Sequence, residues 1–182
     1  MRPKLGEIMK KIPVLLIATA FCAWGLIGGG LQGGIISPDD LDMSFYIGGH
    51  LNVVEMVPNL ILWIPGEYWF ASNEEMHYQW DYVHKVTVTD YSAAAQARYC
   101  FNGLVGPFAG GGLRVHIIRE HHTERTQEGV LMHDWDDNDT LLGLDLVGGY
   151  AFDAGSTLIT PEASFQIGGH DSFKLGVDFT FR

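Results

Sequence analysis

The chain has 182 residues, 47% hydrophobic, 12% aromatic and 18% charged, with 23 glycines, a composition that bounds it to one ordered domain richer in strands and turns than in helices. Its formal net charge is −11. Without the leader expected at its start, which carries Arg2, Lys4, Lys10, Lys11 and Glu7, it keeps 7 basic against 21 acidic residues, a net of −14, so nucleic acid is excluded as a partner.

Residues 1–23 read as an export signal: the basic stretch MRPKLGEIMKK, an apolar run from Ile12 to Ala20, and small residues at Ala18, Ala20 and Ala23. The apolar run is too short to cross a hydrocarbon core of about 30 Å as a helix. Phe21 is bulky where a lipobox needs a small residue before Cys22, and Cys22 with Cys100 are too few for a disulfide framework. Residues 24–182 are then one domain.

A β period runs through that domain: ten to thirteen residues of alternating character, then a turn signal. The first segment is the Gly-rich run from Gly25 to Ile36, followed by Ser44 to Val54 with Phe45, Ile47, Leu51 and Val53 aligned. The third runs from Val57 to Phe70 with its register open, because Pro58 and Pro65 must sit at a strand start or a bulge. Next, Ala93, Ala95, Ala97, Tyr99 and Phe101 oppose Ser92, Gln96 and Arg98, and Leu113, Val115 and Ile117 oppose Arg114 and His116. Leu142, Leu144, Leu146, Tyr150 and Phe152 oppose Gly143, Asp145, Gly149 and Ala151. Ile159 to Ile167 and Phe173 to Phe181 repeat the pattern, the last with Lys174, Gly176, Asp178 and Thr180 on its polar face. Eight strands result. Short turns at 56–59, 102–106 and 153–156 alternate with long polar stretches, 66–90 and 119–139, and shorter ones at 37–42 and 168–171. That asymmetry is the one a membrane barrel shows, and an even strand count puts both termini on the periplasmic side.

The polar face decides what lies outside. In a soluble periplasmic ligand-binding barrel Arg98, Arg114, Asp145, Glu162, Lys174 and Asp178 would be solvated; in a membrane barrel they fill the lumen, where shielded charges must pair. The expected pairing joins Arg98, Arg114 and Lys174 to Asp145, Glu162 and Asp178, with His50 and His116 on inward positions as well. Trp63, Trp69, Phe70, Tyr91, Tyr99, Phe101, Tyr150 and Phe152 lie near strand ends, as an interfacial girdle requires. The ending Phe179-Thr180-Phe181 resembles the C-terminal signal of outer-membrane barrels, one residue short of the terminal Arg182.

From Trp24 to Arg182 the chain resembles the small outer-membrane β-barrel superfamily of the OmpA and OmpX type, with Gly-rich strand segments such as GPFAGGGL at 106–113 and LDLVGGY at 144–150. The resemblance implies an all-β, eight-stranded up-and-down barrel in the outer membrane of a Gram-negative-type bacterium. It also implies contact with membrane lipid and lipopolysaccharide, handling by the barrel-assembly machinery through Phe179 and Phe181, and a monomer. It implies no activity. Eight strands leave a lumen that side chains fill, so a structural or interaction protein is expected, with a narrow channel or small-solute transporter as the alternative.

No catalytic, cofactor or metal site is expected. Asp134 to Asp139 mimic the first donors of a calcium loop, with Asp145 at the twelfth position, but Asp139 stands where the turn needs glycine. His116, His121, His122 and His133 share no ligand spacing. His170, Ser172 and Glu162 loosely match the residue set of a lipid A deacylase barrel without its surrounding motif, and Cys100 has no neighbouring base.

Overall fold

The computed structural model describes residues 28–77, 82–126 and 128–181; the expected export signal lies outside them. Eight strands follow in chain order: β1 (Gly28–Pro38), β2 (Ser44–Val57), β3 (Leu60–His77), β4 (Tyr82–Leu104), β5 (Gly106–Thr126), β6 (Leu131–Asp153), β7 (Thr157–Ile167) and β8 (Ser172–Phe181). Each pairs antiparallel with its sequence neighbours, and β1 pairs with β8 from Gly29↔Phe181 to Pro38↔Ser172, closing the barrel. Closure leaves no unpaired edge along the barrel wall.

The two-residue period of a strand sends alternate side chains to opposite faces. Outward lie Leu31, Phe45, Ile47, Leu113, Val115, Leu142, Leu144, Leu146, Phe165 and Leu175, all exposed. Inward lie Gln32, His50, Gln96, Arg98, Arg114, Asp145, Gln166, Lys174 and Asp178, all buried. The register of β3, open from sequence, sets Ile61, Trp63, Pro65, Glu67 and Trp69 inward and Leu60, Leu62, Ile64, Tyr68 and Phe70 outward. Trp63 and Trp69 therefore leave the expected girdle and stand inside the lumen, 7% and 1% exposed. Pro58 falls in the turn before β3. Pro65 is mid-strand, and the β3–β4 ladder skips from Trp63↔Gln96 to Gly66↔Ala93 around it without changing register, as a residue with no N–H to donate requires.

Two girdles of exposed aromatics result. Tyr99 packs on Phe101 and Tyr150 on Phe152 near the tight turns, while Tyr68 packs on Tyr91 and Phe165 on Phe173 toward the other end.

The connections are where structure and sequence part. Residues 66–90 and 119–139, expected to be long loops, are mostly strand: β3 and β4 are joined by 78–81, and β5 and β6 by 127–130. β3 has no β2 partner beyond Trp69, and β6 has no β7 partner before Leu144. Residues 72–77, 82–87, 121–126 and 131–136 thus form a four-stranded sheet projecting beyond the barrel. Both of its faces are polar, so the hydrophobic alternation that marks the wall is missing and the sequence reads as loop.

Candidate functional site: the lumen and the projecting sheet

A lumen lined by polar residues is stable only if its donors and acceptors meet. Glu67 is the hub. One carboxylate oxygen, Oε2, accepts from Arg114 Nη1 at 2.6 Å, from Gln166 Nε2 at 3.2 Å and from Lys174 Nζ, while Oε1 accepts from Gln32 Nε2 at 2.8 Å. Arg114 meets Asp145 with two guanidinium nitrogens, Nε at 2.8 Å and Nη2 at 2.7 Å, and donates to Ser92 Oγ at 2.8 Å. That two-pronged geometry is the strongest an Arg–carboxylate pair makes. Asp145 also accepts from Gln96 Nε2 at 2.6 Å, and Gln96 Oε1 accepts from Arg98 Nε at 3.0 Å. Arg98 then reaches Glu162 at 2.9 Å, its guanidinium lying 4.1 Å from the Trp63 ring and 5.1 Å from Phe108.

Two smaller pairs flank this chain. Toward the tight turns, His50 stacks on Trp63 at 4.1 Å, and its Nδ1 stands 2.8 Å from Asp178 Oδ2, near enough for an ion pair but out of line for a hydrogen bond. Toward the projecting sheet, Asp90 Oδ2 meets His116 Nδ1 at 2.7 Å and accepts from Trp69 Nε1 at 3.1 Å.

The six expected lumen residues are all inside, but the partners are regrouped. Arg98 with Glu162 and Arg114 with Asp145 are brought together. Asp178 faces His50 and not a Lys or Arg, and Lys174 pairs with Glu67. Glu67 and Asp90 fall in the stretch 66–90 that the sequence reads as a long loop. The missed signal was Tyr68 and Phe70, which continue the outward apolar row of β3 and so fix Glu67 as inward.

Close approach fills the space beside the inward glycines. A Cβ on Gly176 would stand 1.9 Å from the Tyr46 hydroxyl, and one on Gly110 would stand 3.0 Å from Arg98 Cγ. Around Asp90 an apolar layer of Ile36, Tyr46, Trp69, Ala71, Val88 and Ile118, with Leu41 and Val86 packed against it, lies on the β1 to β5 side of the polar lumen. The lumen therefore holds a cross-linked plug of side chains partly covered by this apolar lid.

Beyond the lid, the inward face of the projecting sheet borders a cavity of about 420 Å³ lined by Asp40, Leu41, Asn73, Glu75, His84, Glu120, His122 and His170 among others. His84, His122 and Trp135 stack there, with His122 and Trp135 rings 4.8 Å apart and 2° from parallel. Asp134 to Asp139 are extended on β6, so neighbouring carboxylates alternate between faces instead of wrapping an ion. His116 is in the lumen, while His121 and His122 lie on opposite faces of β5. Among the described residues no group of three or more His, Cys, Asp or Glu is arranged to hold a metal. His170 bonds Glu120 at 3.2 Å, Ser172 donates to Gln166 at 3.0 Å and Glu162 is held by Arg98. Those three residues share no site.

No protein-family model matches the chain, and a search of curated proteins finds no match. Solved structures similar to it include Neisserial surface protein A, at 12% identity and TM-score 0.46, covering 85% of this chain and 94% of that one. The N-terminal β-barrel domain of Pseudomonas aeruginosa OprF is 11% identical with a TM-score of 0.47, over 85% and 96%. Ail, the attachment invasion locus protein of Yersinia pestis, is 11% identical with a TM-score of 0.43, over 86% and 97%. The fold itself rests on the strand order and closure described above.

Proposed function

We propose that this chain is an outer-membrane β-barrel protein of structural and interaction type, whose business end is the sheet projecting outside the cell. The observation that carries the reading is the inversion of polarity: bulky apolar side chains cover the outside of the wall, while Arg98, Arg114, Lys174 and their carboxylates are sealed inside. Water would reward the opposite arrangement; lipid rewards this one. The tight turns then face the periplasm with both chain ends, and residues 1–23 serve export.

Phe179 and Phe181 support recognition by the assembly machinery, being exposed on β8 beside the β1–β8 closure. The cross-linked plug and its apolar lid support a closed lumen over a conducting one, and the separation of His170, Ser172 and Glu162 speaks against an acyl-hydrolase site built from those three residues. A monomer in contact with lipid and lipopolysaccharide is sufficient for this role.

The test is to fold purified mature protein in detergent and run it on a denaturing gel with and without boiling, then in planar bilayers. A heat-dependent mobility shift with no stepwise conductance is the expected result. A water-soluble β protein without a shift would overturn the membrane reading, and discrete conductance would overturn the closed lumen.

A further inference from the structure

Strand parity sorts the charges of the projecting sheet. On its inward face, cross-strand pairing sets Glu120 beside Asp137 in the row nearest the barrel, His122 beside Trp135 in the next, and Glu75, His84 and Glu124 side by side in a third. Lys85, Arg119 and Arg125 have the opposite parity and point to the outward face. Among the described residues the inward face of the sheet therefore carries carboxylates in its first and third rows and no lysine or arginine.

The cavity of about 420 Å³ runs over all three rows and is walled on its far side by Asp40, Leu41 and His170, which makes the face a trough. Its carboxylates meet imidazoles and not permanent cations. Glu120 lies 3.3 Å from His122 and 3.2 Å from His170, Asp137 lies 3.9 Å from His122, and Glu124 lies 3.2 Å from His133. With histidine neutral the trough is a well of negative potential. Between the two acidic rows, the His122 and Trp135 rings stand 4.8 Å apart and 2° from parallel, and Trp135 is exposed. That pair is a flat platform of the kind a planar guanidinium stacks on.

We infer that this trough docks an extended, arginine-bearing segment of a partner protein, which deepens the interaction reading above and rests on it. Successive rows are two residues apart along each strand, about 7 Å, and alternate side chains of an extended peptide have the same spacing. Three alternate arginines therefore match the three rows: the outer two meet carboxylates, and the middle one lies on the His122 and Trp135 platform. A small cation covers one row only, so the span selects a peptide. Arginine is selected over lysine because its planar fork both stacks on a ring and meets a carboxylate with two prongs.

The test titrates full-length mature protein, folded in detergent, with a fluorescent, capped seven-residue peptide that has arginine at its second, fourth and sixth positions and serine elsewhere, read by anisotropy at about 0.1 M salt. It is expected to bind about tenfold more tightly than its lysine counterpart and than an isomer with the three arginines consecutive. Trp135→Ala should weaken it about fivefold and Glu120→Gln/Asp137→Asn about tenfold, while Lys85→Gln on the outward face does not weaken it; each variant must keep the heat-dependent gel shift. Equal binding of the arginine and lysine peptides, or of both arginine spacings, would reduce the face to a diffuse negative surface and overturn the inference. Free arginine binding as tightly as the peptide would make the trough a small-molecule site and overturn it as well. A photoreactive form of the peptide on the wild type needs no variant: crosslinks to His122, Trp135 and Val86 are expected, and crosslinks confined to outward positions such as Thr87 and Thr123 would count against the trough. Failure of the wild type itself to shift on heating would instead strike the outer-membrane reading.

Discussion

The two sides of the barrel put the same alternation to different ends. On one side β7, β8 and β1 are 11, 10 and 11 residues long and stop where the outward apolar row stops. On the other, β3 to β6 run 18 to 23 residues and continue beyond that row as a sheet. Within the wall, each polar residue inside is matched by an apolar residue outside, so a single charge removed leaves its partner buried. In the projecting sheet both faces are wet and a charge removed is replaced by solvent. The difference teaches that charge pairs of similar length hold very different energies: Arg114 to Asp145 at 2.7 Å lies 1% exposed, whereas His121 to Asp136 at 2.8 Å lies 50% and 74% exposed.

The sharpest way to break this comparison is Glu67→Gln. Removing that charge leaves Arg114 short of one carboxylate and Lys174 without its ion-pair partner, both of them buried. Losing one member of a buried pair costs about 3–5 kcal/mol, read as a lower urea midpoint of unfolding from lipid vesicles by tryptophan fluorescence. A loss under about 1 kcal/mol would mean that the lumen is hydrated enough to screen its ions. Next in size is Gly176→Ala, whose Cβ would strike the Tyr46 hydroxyl. Overpacking there should cost about 1–3 kcal/mol, and Tyr46→Phe on the same background should recover part of it. Additive effects in that double-mutant cycle would show that the glycine is not there to seat Tyr46. Trp69→Phe removes one of the two bonds to Asp90 Oδ2 but leaves His116, so about 1 kcal/mol is expected from the same unfolding experiment.

How much of this was legible in the sequence follows from what lies outside each strand. Where the outward face is apolar and the inward face polar, the two residue types must alternate, and Leu142 to Phe152 or Phe173 to Phe181 announce themselves. The lumen residues on those strands, Arg98, Arg114, Asp145, Glu162, Lys174 and Asp178, were legible for the same reason, since their parity is fixed by greasy neighbours. Partners were not, because pairing across a lumen depends on strand stagger, which a single sequence does not carry; Asp178 beside His50 and Lys174 beside Glu67 are the cases. Beyond the belt both faces are polar and the constraint that creates the pattern disappears. Val83, Val86, Thr87, Val88 and Thr89 keep the β-branched character of a strand, and that propensity was the remaining sign that 66–90 is not a loop.

The smallest expected effect puts both environments on one strand. β6 runs from Leu131 to Asp153, with His121 and His122 beside its first part and the lumen beside its second. Asp136→Asn removes the partner of His121 at a site where both groups meet solvent, so global stability should move by no more than about 0.5 kcal/mol. Asp145→Asn on the same strand strips the two-pronged partner from Arg114 and should cost several times more. Amide hydrogen exchange sharpens the contrast. β6 lacks a partner on one side before Leu144 and is paired on both sides there and at several later positions, so amides of 131–136 should exchange by local opening while those of 144–149 wait for global unfolding. Equal protection along the whole strand would mean that the projecting sheet is held by something other than its own ladder, and the division between wall and sheet would have to be redrawn.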